Sequence, residues 1–450
     1  MSEEEVRKII SDSQHSKVRV AVTDIDGVLR GKLMHREKFL SALDGGFGFC
    51  DVVFGWDVND QLYDDSKVTG WHTGYPDAKA RLDLNTFRLI PWEDDLPFVL
   101  ADFFLGDDHS FPACPRSLLK SIIQKAEGQG LSPVFSQEFE WFNFEANSTD
   151  LTEKGLQPKP LTPGMFGYSI LRASENSAYF DDLFELLGEF DVPLEGLHTE
   201  TGPGVFEAAI QHSDVLNAAD RAVLFKTSVK EIAKRHGIIA TFMAKPHQEM
   251  PGCSGHIHQS LQDASGQNLF YDNESKDKIS ELMKSYIAGQ LHCLPIILPM
   301  LAPTVNSYKR LVEGAWAPTT ITWGIDNRTV ALRSLPISPK SARLETRVVG
   351  SDVNPYLAMA ACLAAGLYGV QNKLRLEIPQ TKGNGYEQTD ADVLPRNLKE
   401  ASDAMRSSDL AKELLGESFV EHFTMTRDWE WREFQKQVTD WEMKRYFEII

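Results

Sequence analysis

Apolar and polar positions along the chain predict a small β unit followed by a larger mixed one. Val18 to Val28 is rich in β-forming residues, and Phe87 to Phe104 alternates apolar and polar stretches around Pro91 and Pro97. The N-terminal part up to this point therefore reads as mostly β. The loop from Gly106 to Pro115, rich in Asp, His and Pro, marks a domain boundary. Pro115 then opens a helical stretch to Gln129, placed in a first turn where its missing N–H costs nothing. Helical periodicity recurs over Asp214–His236 and Asn354–Lys373, the latter starting with a capping Asn and a Pro. From Asn397 to Ile450 charged and aromatic residues recur at helical spacing, as on helices that cover a core from outside.

Composition narrows the class. The 450 residues carry a net charge of −19, with 42% apolar and 25% charged residues. That is ordinary for a folded chain and unfavourable for nucleic-acid or anionic-membrane binding. The N-terminus lacks the basic start and apolar run of a signal peptide, and no window reaches the roughly 18 apolar residues of a membrane span. Five scattered cysteines without C-x-x-C spacing support neither a disulfide framework nor a zinc site, so a cytoplasmic location is expected. Asp24-Ile-Asp-Gly-Val28 has the look of an aspartyl-phosphatase nucleophile, yet D-x-D-G is also an ordinary tight turn.

Four segments place functional side chains two residues apart, on one face of a strand. Glu138 and Glu140 lie among Phe139, Trp141, Phe142 and Phe144; carboxylates so close repel unless a cation intervenes, although an exposed edge strand would look similar. Glu200 and Glu207 bracket a Gly-Pro-Gly turn that can fold both toward one point, or leave them on a surface loop. His256 and His258 follow a Gly-rich approach. Arg343, Glu345 and Arg347 alternate in sign, with Arg328 and Arg333 just upstream. Arginines gathered beside a carboxylate in an acidic chain suggest an anion site, with a salt-bridged sheet as the alternative. Carboxylates with a single histidine suit Mg²⁺ or Mn²⁺ better than zinc, and metals, arginines and an anion together describe phosphoryl transfer.

In order and context these segments resemble the glutamine synthetase superfamily, from about Val18 to the C-terminus. The resemblance rests on the E-x-E strand, the H-x-E…G-x-x-E loop, the K-P…G-x-H-x-H block, Asn306-Ser-Tyr-Lys-Arg310, N-R-x-x-x-x-R, and R-x-E-x-R followed by N-P-Y. It implies an α+β fold: a small N-terminal β-grasp domain over residues 14–108 and a large catalytic domain over 113–450 whose curved antiparallel sheet, flanked by helices, forms a funnel. It further implies that Glu140, Glu200 and Glu207 hold a metal beside glutamate, and that Glu138, His256 and Glu345 hold a second on the ATP phosphates. Gly252, Arg310 and Arg347 would bind glutamate, and Arg328, Arg333 and Arg343 would face phosphate. His258 and Ser260 would contact nucleotide, and Arg310 and Arg328 would act in catalysis. The implied reaction activates the glutamate γ-carboxylate with ATP as γ-glutamyl phosphate, and an amine then displaces phosphate. Stacked-ring homo-oligomers such as dodecamers, with active sites between subunits, belong to the same expectation.

Departures from the family pattern concern the nucleophile. Glutamine synthetases carry a flap carboxylate a few residues after the Arg310 position, where it binds ammonium. Here Arg310-Leu-Val-Glu-Gly-Ala-Trp-Ala-Pro318 places Trp316 there. Pro251 replaces an asparagine, and Phe54-Gly-Trp-Asp57 replaces a D-G-S-S segment, putting Trp56 or Asp57 at the amine site. Similar substitutions mark γ-glutamyl-amine ligases such as γ-glutamylputrescine synthetases. Glutamine synthesis with Glu313 or Asp57 as the substitute carboxylate, and a non-catalytic role like that of lengsin, are the alternatives. Tyr386 lies near where some bacterial members are adenylylated, but one tyrosine without the surrounding motif assigns no regulation.

Overall fold

Valines at every second position carry the first strand, β1 (Lys17–Thr23), with Val18, Val20 and Val22 buried. The computed structural model describes residues 1–106, 109–146 and 158–450. Asp107 and Asp108 of the boundary loop lie outside the described residues. β1 joins β2 (Leu29–His35), β3 (Phe47–Cys50), β4 (Asp77–Ile90), β5 (Leu96–Leu105) and β6 (His109–Ser110) in a six-stranded sheet. The order is β2-β1-β5-β4-β3, with β6 on β5. β1 runs parallel to β5 and the other pairs are antiparallel. Phe39 and Ala42, from the helix Arg36–Gly45, share a core with the β1 valines.

The second sheet has nine strands. They are β7 (Ser132–Glu145), β8 (Leu194–Thr199), β9 (Val205–Ile210), β10 (Ser213–Asp214), β11 (Ile238–Thr241), β12 (Ile257–Gln262), β13 (Trp323–Ile325), β14 (Leu332–Leu335) and β15 (Arg343–Thr346). They run β13-β14-β15-β12-β7-β9-β8, with β10 and β11 also on β7. β7 pairs with β12 along its first half and with β9 and β11 further on, so the sheet curls around this long strand. The pairings are antiparallel except at the rim, where β13 runs parallel to β14.

Three helices back this sheet: Val215–Arg235, Glu281–Leu301 and Pro355–Gln371. The last is apolar almost throughout, and it meets Glu281–Leu301 so closely that a Cβ on Gly369 would lie 2.0 Å from the Ser285 carbonyl. Asn354 caps it, accepting from the Tyr356 and Leu357 amides, while its Nδ2 donates to the Asp24 and Ile25 carbonyls. That contact fixes the role of the D-x-D-G segment. Asp24 is buried, its Oδ1 accepts from the Asp26 and Val28 amides, and its Oδ2 accepts from Arg30. Arg427, on the helix Glu417–Gln435, donates to Asp26 at 2.5 Å. The segment is a turn that docks one sheet against the other, with no carboxylate free to act as a nucleophile.

A candidate active site on one face of the curled sheet

Strand register alone gathers the predicted residues. Glu140 on β7 stands directly opposite Glu207 on β9, which stands opposite His198 on β8. On the other flank Arg333 on β14 faces Glu345 on β15, and Glu345 faces His258 on β12. Directly opposed residues share a face, as do residues two apart, so Glu138 and His256 fall on that same face. The Glu138 and Glu140 amides donate to the His256 and Ser254 carbonyls, extending the pairing past the end of β12.

The donors form two clusters. In the first, His256 Nδ1 lies 2.9 Å from Glu138 Oε1 and 3.3 Å from Glu345, and His258 Nε2 lies 3.3 Å from the other Glu138 oxygen. Glu138, His258 and Glu345 each offer one atom within 4.8 Å of the others. The second joins His198, Glu200 and Glu207 in the same way, with His198 Nε2 3.3 Å from Glu207. Glu140 stands beside this second group, its Oε2 accepting the Ser254 amide at 2.6 Å.

Electrostatics show what the clusters lack. Burial, opposed by His198 but reinforced by Glu138 and Glu140, pushes the Glu207 carboxyl up to about 8. Burial also raises Glu138, but His258 and His256 outweigh it and hold that carboxyl well below the usual range. His256 Nε2 is buried without a hydrogen-bond partner among the described residues. Crowded oxygens plus an unpaired imidazole nitrogen form a donor set that fits hard divalent cations. Glu138, Glu345, His256 and His258 would hold one ion, and Glu140, Glu200, Glu207 and His198 another.

The arginines surround this face. Arg347 pairs with the fully buried Glu345, and its Nε donates to the Arg328 carbonyl at 3.1 Å. Arg333 bridges Glu345 and Asp326. Arg310 is buried and donates to the Val348 and Arg347 carbonyls, fixing the backbone beneath Arg347. Gly252 makes this possible: a Cβ there would lie 2.5 Å from Arg310 Cγ. Arg328 is exposed, and its guanidinium makes no hydrogen bond or ion pair among the described residues, though its charge acts on Tyr168. Arg343 donates to His258 Nδ1 at 3.2 Å. With Ser260 and Glu138 these two line a cavity of about 290 Å³.

The three residues assigned to the amine differ. Trp316 is 65% exposed at φ 57°, a strained backbone for a bulky residue. Trp56 is half-buried with Arg30 above its ring. Asp57 is engaged within its own chain, accepting from the Asn59 and Gln61 amides and from Trp429 Nε1. Sequence reasoning gave His198 no role beyond its place in the H-x-E loop, and it did not single out Tyr168. His198 carries the spacing-by-two signal relative to Glu200. Tyr168 has no local signal: it stacks on His198 with ring centroids 4.3 Å apart.

Residues 112–446 match the model of the glutamine synthetase catalytic domain, and the chain belongs to that family. It is 53% identical over 446 residues to type-1 glutamine synthetase 2 of Dictyostelium discoideum, covering 98% of this chain and 85% of that one. It is 37% identical over 450 residues to a glutamate–isopropylamine ligase of a Pseudomonas species, covering 99% and 98%. A solved structure titled GmaS/ADP complex superposes with a TM-score of 0.86 at 27% identity, covering 98% of this chain and 99% of that one. The protein is thus a glutamate ligase of this family, whose members use ATP with Mg²⁺ or Mn²⁺. No described helix is long and apolar enough to cross a membrane.

Proposed function

We propose that the chain joins the glutamate γ-carboxylate to an alkylamine rather than to ammonia. The observation that carries this reading is Trp316, an open indole on the flap where ammonia users keep a carboxylate. The similarity to a glutamate–isopropylamine ligase over nearly the whole of both chains supports it. The retained metal-donor set speaks against a purely structural protein.

In this reading a γ-carboxylate oxygen of glutamate bonds to the ATP γ-phosphorus, and ADP leaves with the electron pair of the broken P–O bond. The amine nitrogen then attacks the acyl carbon, the C–O bond to phosphate breaks, and the nitrogen gives up a proton. The first step brings two anions together. Divalent ions on the two donor clusters would supply the positive charge that permits it. Arg347, seated by Glu345 and the Arg328 carbonyl, would hold the glutamate carboxylate, with Arg310 bracing it from below. Arg328, exposed beside this face, would meet the transferring phosphoryl group. We also propose a homo-oligomer, in which exposed Trp441, Phe447, Ile449 and Ile450 would be covered by another copy.

Ammonium and alkylammonium must both lose a proton before attack, near the lysine reference of about 10.4. An indole offers neither a charge partner nor a base, but it packs against alkyl carbon. Three buried methylenes at about 0.8 kcal/mol each favour the amine by roughly fiftyfold. One observation favours the ammonia reading: the 53% identical relative is named a glutamine synthetase. Trp316→Glu separates the two. Amine use predicts that the variant gains kcat/KM for ammonium relative to the best amine, by up to about fiftyfold. An unchanged ratio would remove Trp316 from the amine site.

A further inference from the structure

The flap that carries Trp316 is tied to the rest of the chain at few points. Among the described residues, the ties to positions 312–317 from another segment come from Tyr386, whose hydroxyl donates to the Ala317 carbonyl at 3.4 Å. The half-buried Tyr386 ring lies where Arg347, Arg310 and the Trp316 backbone all act on its hydroxyl. Its hydroxyl thus reaches the backbone next to Trp316 while feeling the charge of the arginines assigned to glutamate.

The segment around Tyr386 is anchored on both sides. Behind the flap, Thr320 bridges Val393, the Ile321 amide donates to the Asp392 carbonyl at 2.8 Å, and the Leu394 amide donates to Thr319 at 2.9 Å. Toward the phosphate-facing turn, the Gly385 amide donates to Thr329 Oγ1 at 2.8 Å and Asn327 Nδ2 donates to the Gly383 carbonyl at 2.9 Å. Gly385 has no room for a side chain, since a Cβ would lie 2.8 Å from the Thr329 carbonyl. One strap thus grips both the turn bearing Arg328 and the root of the flap, and Tyr386 is its contact with the flap itself.

We propose that Tyr386 is a positioning residue for the nucleophile subsite, holding the flap so that Trp316 closes on the incoming nitrogen compound. This rests on the proposed placement of the nucleophile beside Trp316. The strained φ of Trp316 requires such an external hold, because a free flap would relax it.

The test is Tyr386→Phe, which keeps the ring and removes the hydroxyl. KM for glutamate, ATP and nucleophile is measured along with amide exchange over 312–317. The expected result is a threefold to tenfold rise in nucleophile KM, about the size of one lost hydrogen bond, with glutamate and ATP KM within about twofold of wild type. Exchange at Ala315 and Trp316 should quicken at the same time. An unchanged nucleophile KM overturns the assignment, and so does an equal rise in all three KM values, which would mean general loosening. The amine reading is judged separately, on wild type alone. If wild type prefers ammonium, ammonium becomes the nucleophile in the same comparison, and Tyr386 stands or falls on it.

Discussion

Glu138 is the residue on which the metal account turns, because both His256 and His258 close on its two oxygens. Replacing it by Ala removes the anion that these rings face. Turnover should fall by more than the roughly 10–100-fold typical of partners one shell further out. Steady-state assays over a range of Mg²⁺ or Mn²⁺ check this, and near-normal activity at any metal concentration would contradict it. Much of this site was legible because strand geometry repeats every two residues: Glu138 and Glu140, His256 and His258, and Arg343, Glu345 and Arg347 declared a shared face without any fold. Register between strands was not legible, so the opposition of Glu140 to Glu207 and of Arg333 to Glu345 came only with the sheet. Asp57 shows the limit from the other side. Its carboxylate reads as chemistry in the sequence, while the fold uses it to cap a turn and hold Trp429.

At the scale of elements, local signals marked helix starts well. Asn354 and Pro355 announced a helix that begins at Pro355, and Pro115 opens another. The helix Glu3–Asp12 passed unnoticed although Ser2 and Glu5 form a reciprocal capping box at its start. The helix Glu417–Gln435 carries a liability no sequence signal shows. His422 is buried with neither ring nitrogen hydrogen-bonded among the described residues, and burial, aided by Arg427, lowers its pKa to about 4. Between the unfolded value near 6.5 and about 4, the unfolded chain binds the extra proton, so stability falls as the pH drops through that window. The slope from this one group is at most about 1.4 kcal/mol per pH unit. His422→Leu should flatten the stability profile between pH 6.5 and 4.5 and leave it little changed above. Parallel profiles in urea titrations across that range would refute this.

At the scale of the molecule, a buried ionic cluster joins the two sheets. Arg116, 3% exposed, binds Asp220 through two hydrogen bonds and also reaches Asp102 and Asp83, while Tyr356 donates to Asp220. Arg116 and Lys120, against the cost of burial, bring Asp83 down to about 2. Arg116→Met takes the ion-pair partner from Asp220 in a dry interface and leaves Asp102 and Asp83 to Lys120 alone, and it should cost about 3–5 kcal/mol, read from the shift of the urea midpoint. A loss below about 1 kcal/mol would show that the cluster is not what joins the sheets. None of these pairings could be read from local pattern, because the partners lie 14 to 136 residues apart. The overall architecture was reachable from motifs taken together, yet the parallel β13–β14 rim departs from the antiparallel sheet they implied.

On the proposed reading, Trp316 gives this glutamate ligase an alkylamine as its second substrate. The most direct measurement offers wild-type enzyme glutamate, ATP and Mg²⁺ with equimolar ammonium and a panel of alkylamines, and identifies the products by mass spectrometry. The account predicts a γ-glutamylalkylamide as the main product, with its amount tracking ADP released. Glutamine as the main product against every amine in the panel would contradict it.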